Sequence, residues 1–170
     1  MDSITYREVE LSDAVQLIGF MKGVLGETPF LRYEPEEFSM NVKQEEDFIS
    51  NFILNRSLKM ILALHGKEII AIGSIEGNHL KKFRHNGEYG IVVKKAWWNK
   101  GIARDITTML LDWARDNAVL KKINLHVHSG NTIAIAFYRK VGFREEGRIL
   151  RDFYYNKTYY DTLIMGLNVD

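Results

Sequence analysis

Cysteine is absent from this 170-residue chain. That excludes disulfides, thiolate-bound metal and a covalent acyl-cysteine intermediate. Proline is almost absent: Pro29 and Pro35 are the only two, so nothing resembles a proline-rich linker. An excess of one charge is also missing. There are 23 Lys and Arg against 22 Asp and Glu, a net charge of +1, which gives no electrostatic basis for wrapping a nucleic-acid backbone. No run of about 18 apolar residues occurs, so no membrane span is expected. The opening MDSITYREVE is polar and acidic, unlike a secretory leader. Cytoplasmic location is the resulting expectation. No internal repeat is visible.

What is present suits a packed domain. Hydrophobic residues make up 46% of the chain and charged residues 26%, ordinary for one domain over residues 1–170. Ile4 to Glu10 alternates as an edge strand. Ser12 or Asp13 can cap a helix that turns Val15, Ile18, Phe20 and Met21 inward and ends near Gly26. A second helix is expected from Gln44 to Asn55, burying Phe48, Ile49 and Phe52. Leu58–His65 and Glu68–Glu76 read as a hairpin around Gly66. A strand at Gly87–Lys95, a helix from Gly101 to Ala118, a strand at KKINLHVHS and a helix at Thr132–Val141, stopped by Gly142, follow. Two strands, Glu145–Tyr155 and Thr158–Asn168, close the chain. This order predicts a mixed α/β fold: a mostly antiparallel central sheet with helices on both faces.

The stretch WWNKGIARDITTMLLDWA carries the first chemical signal. Ile106, Met109, Leu110 and Trp113 recur at three and four residues and form an expected buried helix face. Gly101 can be a simple corner residue. It can also open a helix N-terminus, whose free N–H groups and partial positive charge attract anions. Small residues at 101 and 103, with Lys100 and Arg104 beside them, suit a pyrophosphate. The phosphate-loop pattern and the dinucleotide fingerprint both fail, for want of further glycines.

Trp98-x-x-Gly101-x-Ala103 resembles the acyl-CoA loop of the GNAT N-acetyltransferases, Gln/Arg-x-x-Gly-x-Gly/Ala. NTIAIAFYRKVGF supplies a second match: Asn131-x-x-Ala134-x-x-Phe137-Tyr138-x-x-x-Gly142-Phe143 is similar to that family's Asn-x-x-Ala-x-x-aromatic/Leu-Tyr-x-x-x-Gly-Phe. Order and spacing agree, and the similarity covers about Glu88 to Phe143. GEYGIVV and the ending RDFYYNKTYYDTLIMGL look most like the branch with the ribosomal-protein N-terminal acetyltransferases. Trp98 departs from the motif and removes a side-chain phosphate donor.

The resemblance implies the GNAT acyl-CoA N-acyltransferase fold, acetyl-CoA as co-substrate and an amine acceptor. The pantetheine arm would pair with the backbone of Ile91, Val92 and Val93 as an added strand does. An N–H near Val93 would stabilise the oxyanion. Trp98, Asn99, Lys100, Gly101, Ile102, Ala103 and Arg104 would form the pyrophosphate loop. Asn131 would cap its helix, contact the pantetheine, or both. Tyr138, two turns further on, would give a proton to the CoA sulfur, since a phenol with a pKa of about 10 is protonated at neutral pH. Phe137 borders the same place, and Phe143 belongs to the core. Glu88 is the candidate base for the acceptor ammonium, directly or through water, with His126 and His128 as alternatives. Those two histidines lack a third ligand, so no metal is assigned. Absence of cysteine makes direct amine attack in a ternary complex the expected mechanism.

In this fold the first helices and the last hairpin usually build the acceptor site. The acidic GETPFLRYEPEEF and the four tyrosines of the last hairpin fall there. Acceptors consistent with this are a protein or peptide N-terminus, or a small amine such as a polyamine, aminoglycoside or amino acid. Homodimerisation, common in the family, is a further expectation. A non-catalytic acyl-CoA-binding module and a partner-binding protein anchored by Trp97 are the rival classes.

Overall fold

The computed structural model describes residues 3–170. Seven strands form one sheet in the order β1-β2-β3-β4-β5-β7-β6. They are β1 (Ile4–Glu8), β2 (Leu58–His65), β3 (Glu68–Gly77), β4 (Asn86–Val93), β5 (Lys122–His128), β6 (Arg144–Tyr155) and β7 (Thr158–Asn168). All neighbours are antiparallel except β4 and β5. The helices are α1 (Ala14–Leu25), α2 (Val42–Leu54), α3 (Ile102–Asp116) and α4 (Thr132–Val141). The expected class, a mostly antiparallel sheet between helical layers, is the one observed.

Side-chain alternation along the strands sorts the core into two layers. Met60, Leu62, Leu64 and Ile69 face α1 and α2, where Leu17, Phe20, Ile49 and Phe52 meet them. Ile61, Ala63, Ala71 and Tyr89 face α3 and α4, where Ile106, Leu110, Ile135 and Tyr138 pack. Helix α3 lies close on β3 because Gly73 has no side chain: a Cβ there would come within 2.3 Å of Ile106 Cγ2.

Helix faces differ from expectation in two places. In α1 the inward stripe is Ala14, Leu17, Phe20 and Val24, and Val15 is exposed. Val15 stands one residue, about 100° of helix rotation, off that stripe. In α3 Met109 is exposed and Trp113 only half-buried, while Thr107, Leu111 and Ala114 are buried. Thr107 tolerates burial because its hydroxyl donates to Ala103 O (2.5 Å) and pairs with the Tyr89 hydroxyl at 2.7 Å. Asp13 starts α1 without a side-chain cap. Its carboxylate instead accepts both Arg7 guanidinium nitrogens at 2.7 Å and the Glu10 N–H at 2.8 Å.

The β4–β5 joint positions everything that follows. Parallel pairing is limited to Asn86–Glu88 against Lys122–Asn124. Beyond it β4 pairs only with β3, and β5 only with β7. The strands therefore part, and Tyr89–Val93 presents a backbone edge with no strand beside it.

Candidate active site

Three groups of residues converge on this gap. The first lies at the start of α3. Asn99 and Gly101 both hold positive φ, 60° and 84°, so the chain turns sharply into the helix with no side-chain cap at its N-terminus. The first-turn N–H groups are left for a ligand. A groove of about 760 Å³ opens there, lined by Asn99, Lys100, Gly101 and Arg104 and continuing past Thr108, Arg115, Phe137 and Lys140. Its cationic lining and its bare helix end suit a phosphorylated ligand.

The other residues of the expected loop do not line the groove. Ile102 is fully buried, and Ala103 contributes backbone only, accepting from Thr107. Trp98 turns back, its indole N–H donating to Val93 O at 2.7 Å. Trp97 packs against His65 at 4.8 Å and carries the Lys100 ammonium 4.4 Å from its ring centroid, so its role is to hold the loop. The groove also uses positions that sequence reasoning missed: Thr107, Thr108, Leu111, Arg115, Lys140 and Val141. Their signal was available as helical spacing. Arg104, Thr108, Leu111 and Arg115 follow one another at three and four residues along α3.

The second group lies in the gap itself. Tyr138 packs edge-on to Tyr89, with ring centroids 5.9 Å apart, and beside Phe143 at 6.0 Å. Its hydroxyl makes no hydrogen bond among the described residues, although no fully buried side-chain polar atom there lacks a partner. The hydroxyl is therefore unpaired but not fully buried. Burial pushes its pKa up to about 12, so it is a proton carrier at neutral pH. Asn131 caps α4, its Oδ1 accepting the Ala134 N–H at 3.2 Å. The Asn131 side-chain amide nitrogen has no partner among the described residues. Ile91 and Val93 are half-buried and pack toward α3 and α4, whereas Val92 packs toward α1 and α2.

The third group lies on the α1/α2 face of the sheet. Glu88 stands beside His126, with Oε1 and Nδ1 2.7 Å apart, so the two candidate bases form one pair. Across β3 the residue in register with Glu88 is Glu76. Burial, and then the neighbouring Glu88 carboxylate, raise the Glu76 pKa. His128 stands apart from this pair, buried at the end of β5. No group of three or more metal-ligating side chains occurs among the described residues.

A cationic groove at a helix start, a strand gap with a free phenol, and a carboxylate–imidazole pair opposite it make a two-sided site. The acetyltransferase (GNAT) family model matches residues 27–143. The chain belongs to the GNAT family. Spermidine N(1)-acetyltransferase from Vibrio cholerae is 32% identical over 90 residues, 53% of this chain and 52% of that protein. The chain thus spans about half the length of the curated relatives it first matches. A GNAT acetyltransferase from Streptococcus pneumoniae superposes with a TM-score of 0.94 at 27% identity, covering 99% of this chain and 100% of that one. The yncA protein from Salmonella typhimurium, solved with acetyl-CoA, matches in fold with a TM-score of 0.86 at 16% identity over 99% and 95% of the two chains. These matches carry the GNAT family and do not single out its ribosomal-protein branch.

Proposed function

We propose that this GNAT protein transfers an acetyl group from acetyl-CoA to a primary amine by direct attack in a ternary complex. The observation that carries the reading is the parted β4–β5 joint, with Tyr138 packed on Tyr89 beside it, a phosphate-type groove at the α3 end and a carboxylate–imidazole pair on the opposite face. Acetyl-CoA fits the residues present. Gly101, Asn99, Lys100 and Arg104 would hold its pyrophosphate, and the backbone of Ile91 and the N–H of Val93, whose carbonyl is taken by Trp98, would face its amides. The co-substrate supplies an activated thioester.

The remaining steps belong to the chain. The Glu88–His126 pair accepts the proton that the acceptor ammonium must lose before its nitrogen can attack. A backbone N–H near Val93 donates to the oxygen on which negative charge develops. Tyr138 protonates the departing sulfur. With no cysteine in the sequence, the amine itself attacks the thioester. The acceptor is a primary amine; a peptide N-terminus and a small amine are both compatible with this chemistry.

The test is thiol release from acetyl-CoA over an amine panel, with mass spectrometry of the products. Acetylated amine and one free thiol per acetyl group are expected. Tight acetyl-CoA binding with no amine acetylated would mark a binding module instead.

A further inference from the structure

The α1–α2 loop and the β6–β7 hairpin, far apart in sequence, meet around one side chain, His128. Phe30 comes from the α1–α2 loop, with ring centroids 5.2 Å apart. Phe153 of β6 stands edge-on at 4.7 Å, and Tyr160 of β7 is tilted at 4.5 Å. The placement of Phe153 is built. The β6–β7 register breaks between Ile149 and Phe153, and Arg151 takes a positive φ of 54°. Asp161 holds this bulge by accepting the Arg151 N–H at 2.9 Å. A bulge of this kind re-aims the strand's next side chains.

The imidazole has a defined orientation. Gly130 N–H donates to Nδ1 at 2.9 Å. The approach is close enough that a Cβ on Gly130 would lie 3.0 Å from both Cε1 and Nδ1. A ring whose Nδ1 accepts carries its proton on Nε2. Burial lowers the His128 pKa and keeps the ring neutral. The residue is only 9% exposed, yet Nε2 has no protein partner among the described residues, and no fully buried side-chain nitrogen there is unpaired. The N–H therefore keeps some exposure and is free to donate to a ligand. Its strand face is that of His126, two residues earlier and paired with Glu88.

We infer that His128 is an acceptor-binding residue: its Nε2–H donates to the carbonyl oxygen beside the reacting amine, so the site takes an α-amino amide, the chemistry of a peptide N-terminus. The inference rests on the acetyltransferase reading and deepens it. A fixed N–H points its positive end at the ligand, which disfavours a second ammonium and rewards an oxygen. The Glu76–Glu88 pair on the same face disfavours a free carboxylate there. The aromatic walls supply apolar contact for the rest of the residue. A site built to hydrogen-bond a substrate oxygen discriminates against the analogue that lacks it.

The experiment compares alaninamide with 2-aminobutane, which has the same branched skeleton without the amide. Spermidine and alanine complete the set. The readout is the ratio of kcat/KM for the first two substrates, in the wild type and in His128→Phe. Differences in amine pKa cancel between the two proteins. The ratio is expected to fall about tenfold in His128→Phe, equivalent to about 1.4 kcal/mol. CoA affinity by calorimetry reports whether the variant is folded; if it is not, Gly130→Ala, which displaces the ring, is read in the same way. An unchanged ratio, with both amines still acetylated, overturns the role of His128 and leaves the transferase reading standing. Spermidine or 2-aminobutane exceeding alaninamide, after correction for the neutral amine fraction, overturns it equally. Failure of every amine overturns both.

Discussion

At the scale of single residues, the site depends on groups whose proton affinity the fold has altered. Tyr138 is the clearest. Burial raises its pKa from 10.0 to about 12, so the folded state favours the protonated phenol. The stability this contributes is complete below about pH 10 and is lost as pH rises toward 12. The same shift keeps the acid in its donating form throughout the working range. Tyr138→Phe is therefore expected to lower kcat by about 10²-fold, with acetyl-CoA affinity within about twofold of wild type. Stopped-flow thiol release and calorimetry measure the two quantities. A kcat within about threefold of wild type would remove the acid role. On the other face of the sheet, Glu88→Gln removes the carboxylate of the Glu88–His126 pair. Its rate loss at neutral pH should shrink as pH approaches the pKa of the acceptor, because less ammonium then needs a base. A loss constant from pH 7 to 10 would show that Glu88 acts by positioning alone.

At the scale of elements, two turns are predicted to be sensitive for different reasons. Gly101 sits at φ 84° at the start of α3, with only Arg104 Nη2 near a would-be Cβ, at 3.5 Å. Space is available; conformation is not. A β-branched residue there costs about 1–3 kcal/mol of strain and swings the first-turn N–H groups away from the groove. Gly101→Val should weaken acetyl-CoA binding by about tenfold or more, and unchanged affinity by calorimetry would overturn the pyrophosphate assignment. The second turn joins β1 to α1 through Asp13. Burial alone would raise that carboxyl, but the Arg7 hydrogen bonds and the Glu10 N–H outweigh it, and the pKa falls below its ordinary 3.8. A depressed pKa gives stability that is present above pH 3.8 and disappears as pH drops through the folded value. Asp13→Asn should cost about 1–2 kcal/mol at pH 7, and urea titrations should show that gap closing below about pH 4. Element positions were legible because periodicity survives in a single sequence. Helix faces were less so. Hydrophobicity alone points Val15 inward although it lies off the stripe, and it gives no sign of Thr107, whose burial two hydrogen bonds accommodate.

At the scale of the whole molecule, legibility stops where long-range pairing begins. The loop at Gly101 and the Asn131–Tyr138 helix could be located because each is a contiguous stretch. Glu76 opposite Glu88, Phe30 against His128 and the parted strands could not be, because each depends on which distant segments become neighbours. That parting also has a thermodynamic consequence. The sheet halves β1–β4 and β5–β7 share only the pairs Asn86–Lys122, Gly87–Ile123 and Glu88–Asn124. Packing by α3 and α4, the Glu88–His126 contact and the Lys121 and Lys122 N–H bonds to His85 O add to their attachment. A ligand seated in the gap adds contacts to both halves and binds only the folded state. At about 100 times its dissociation constant it should stabilise the protein by about 2.7 kcal/mol. For a chain of this size, each kcal/mol raises Tm by about 2–4 °C, so acetyl-CoA should raise Tm by about 5–11 °C. Hydrogen exchange separates this site from binding elsewhere. The Tyr89–Val93 backbone has no strand partner on its β5 side, so exchange of its outward N–H groups should slow with acetyl-CoA, whereas pyrophosphate alone, confined to the α3 groove, should leave it unchanged. A Tm rise without protection at Tyr89–Val93 would place the thioester arm outside the strand gap. Tyr138 would then have no sulfur to protonate.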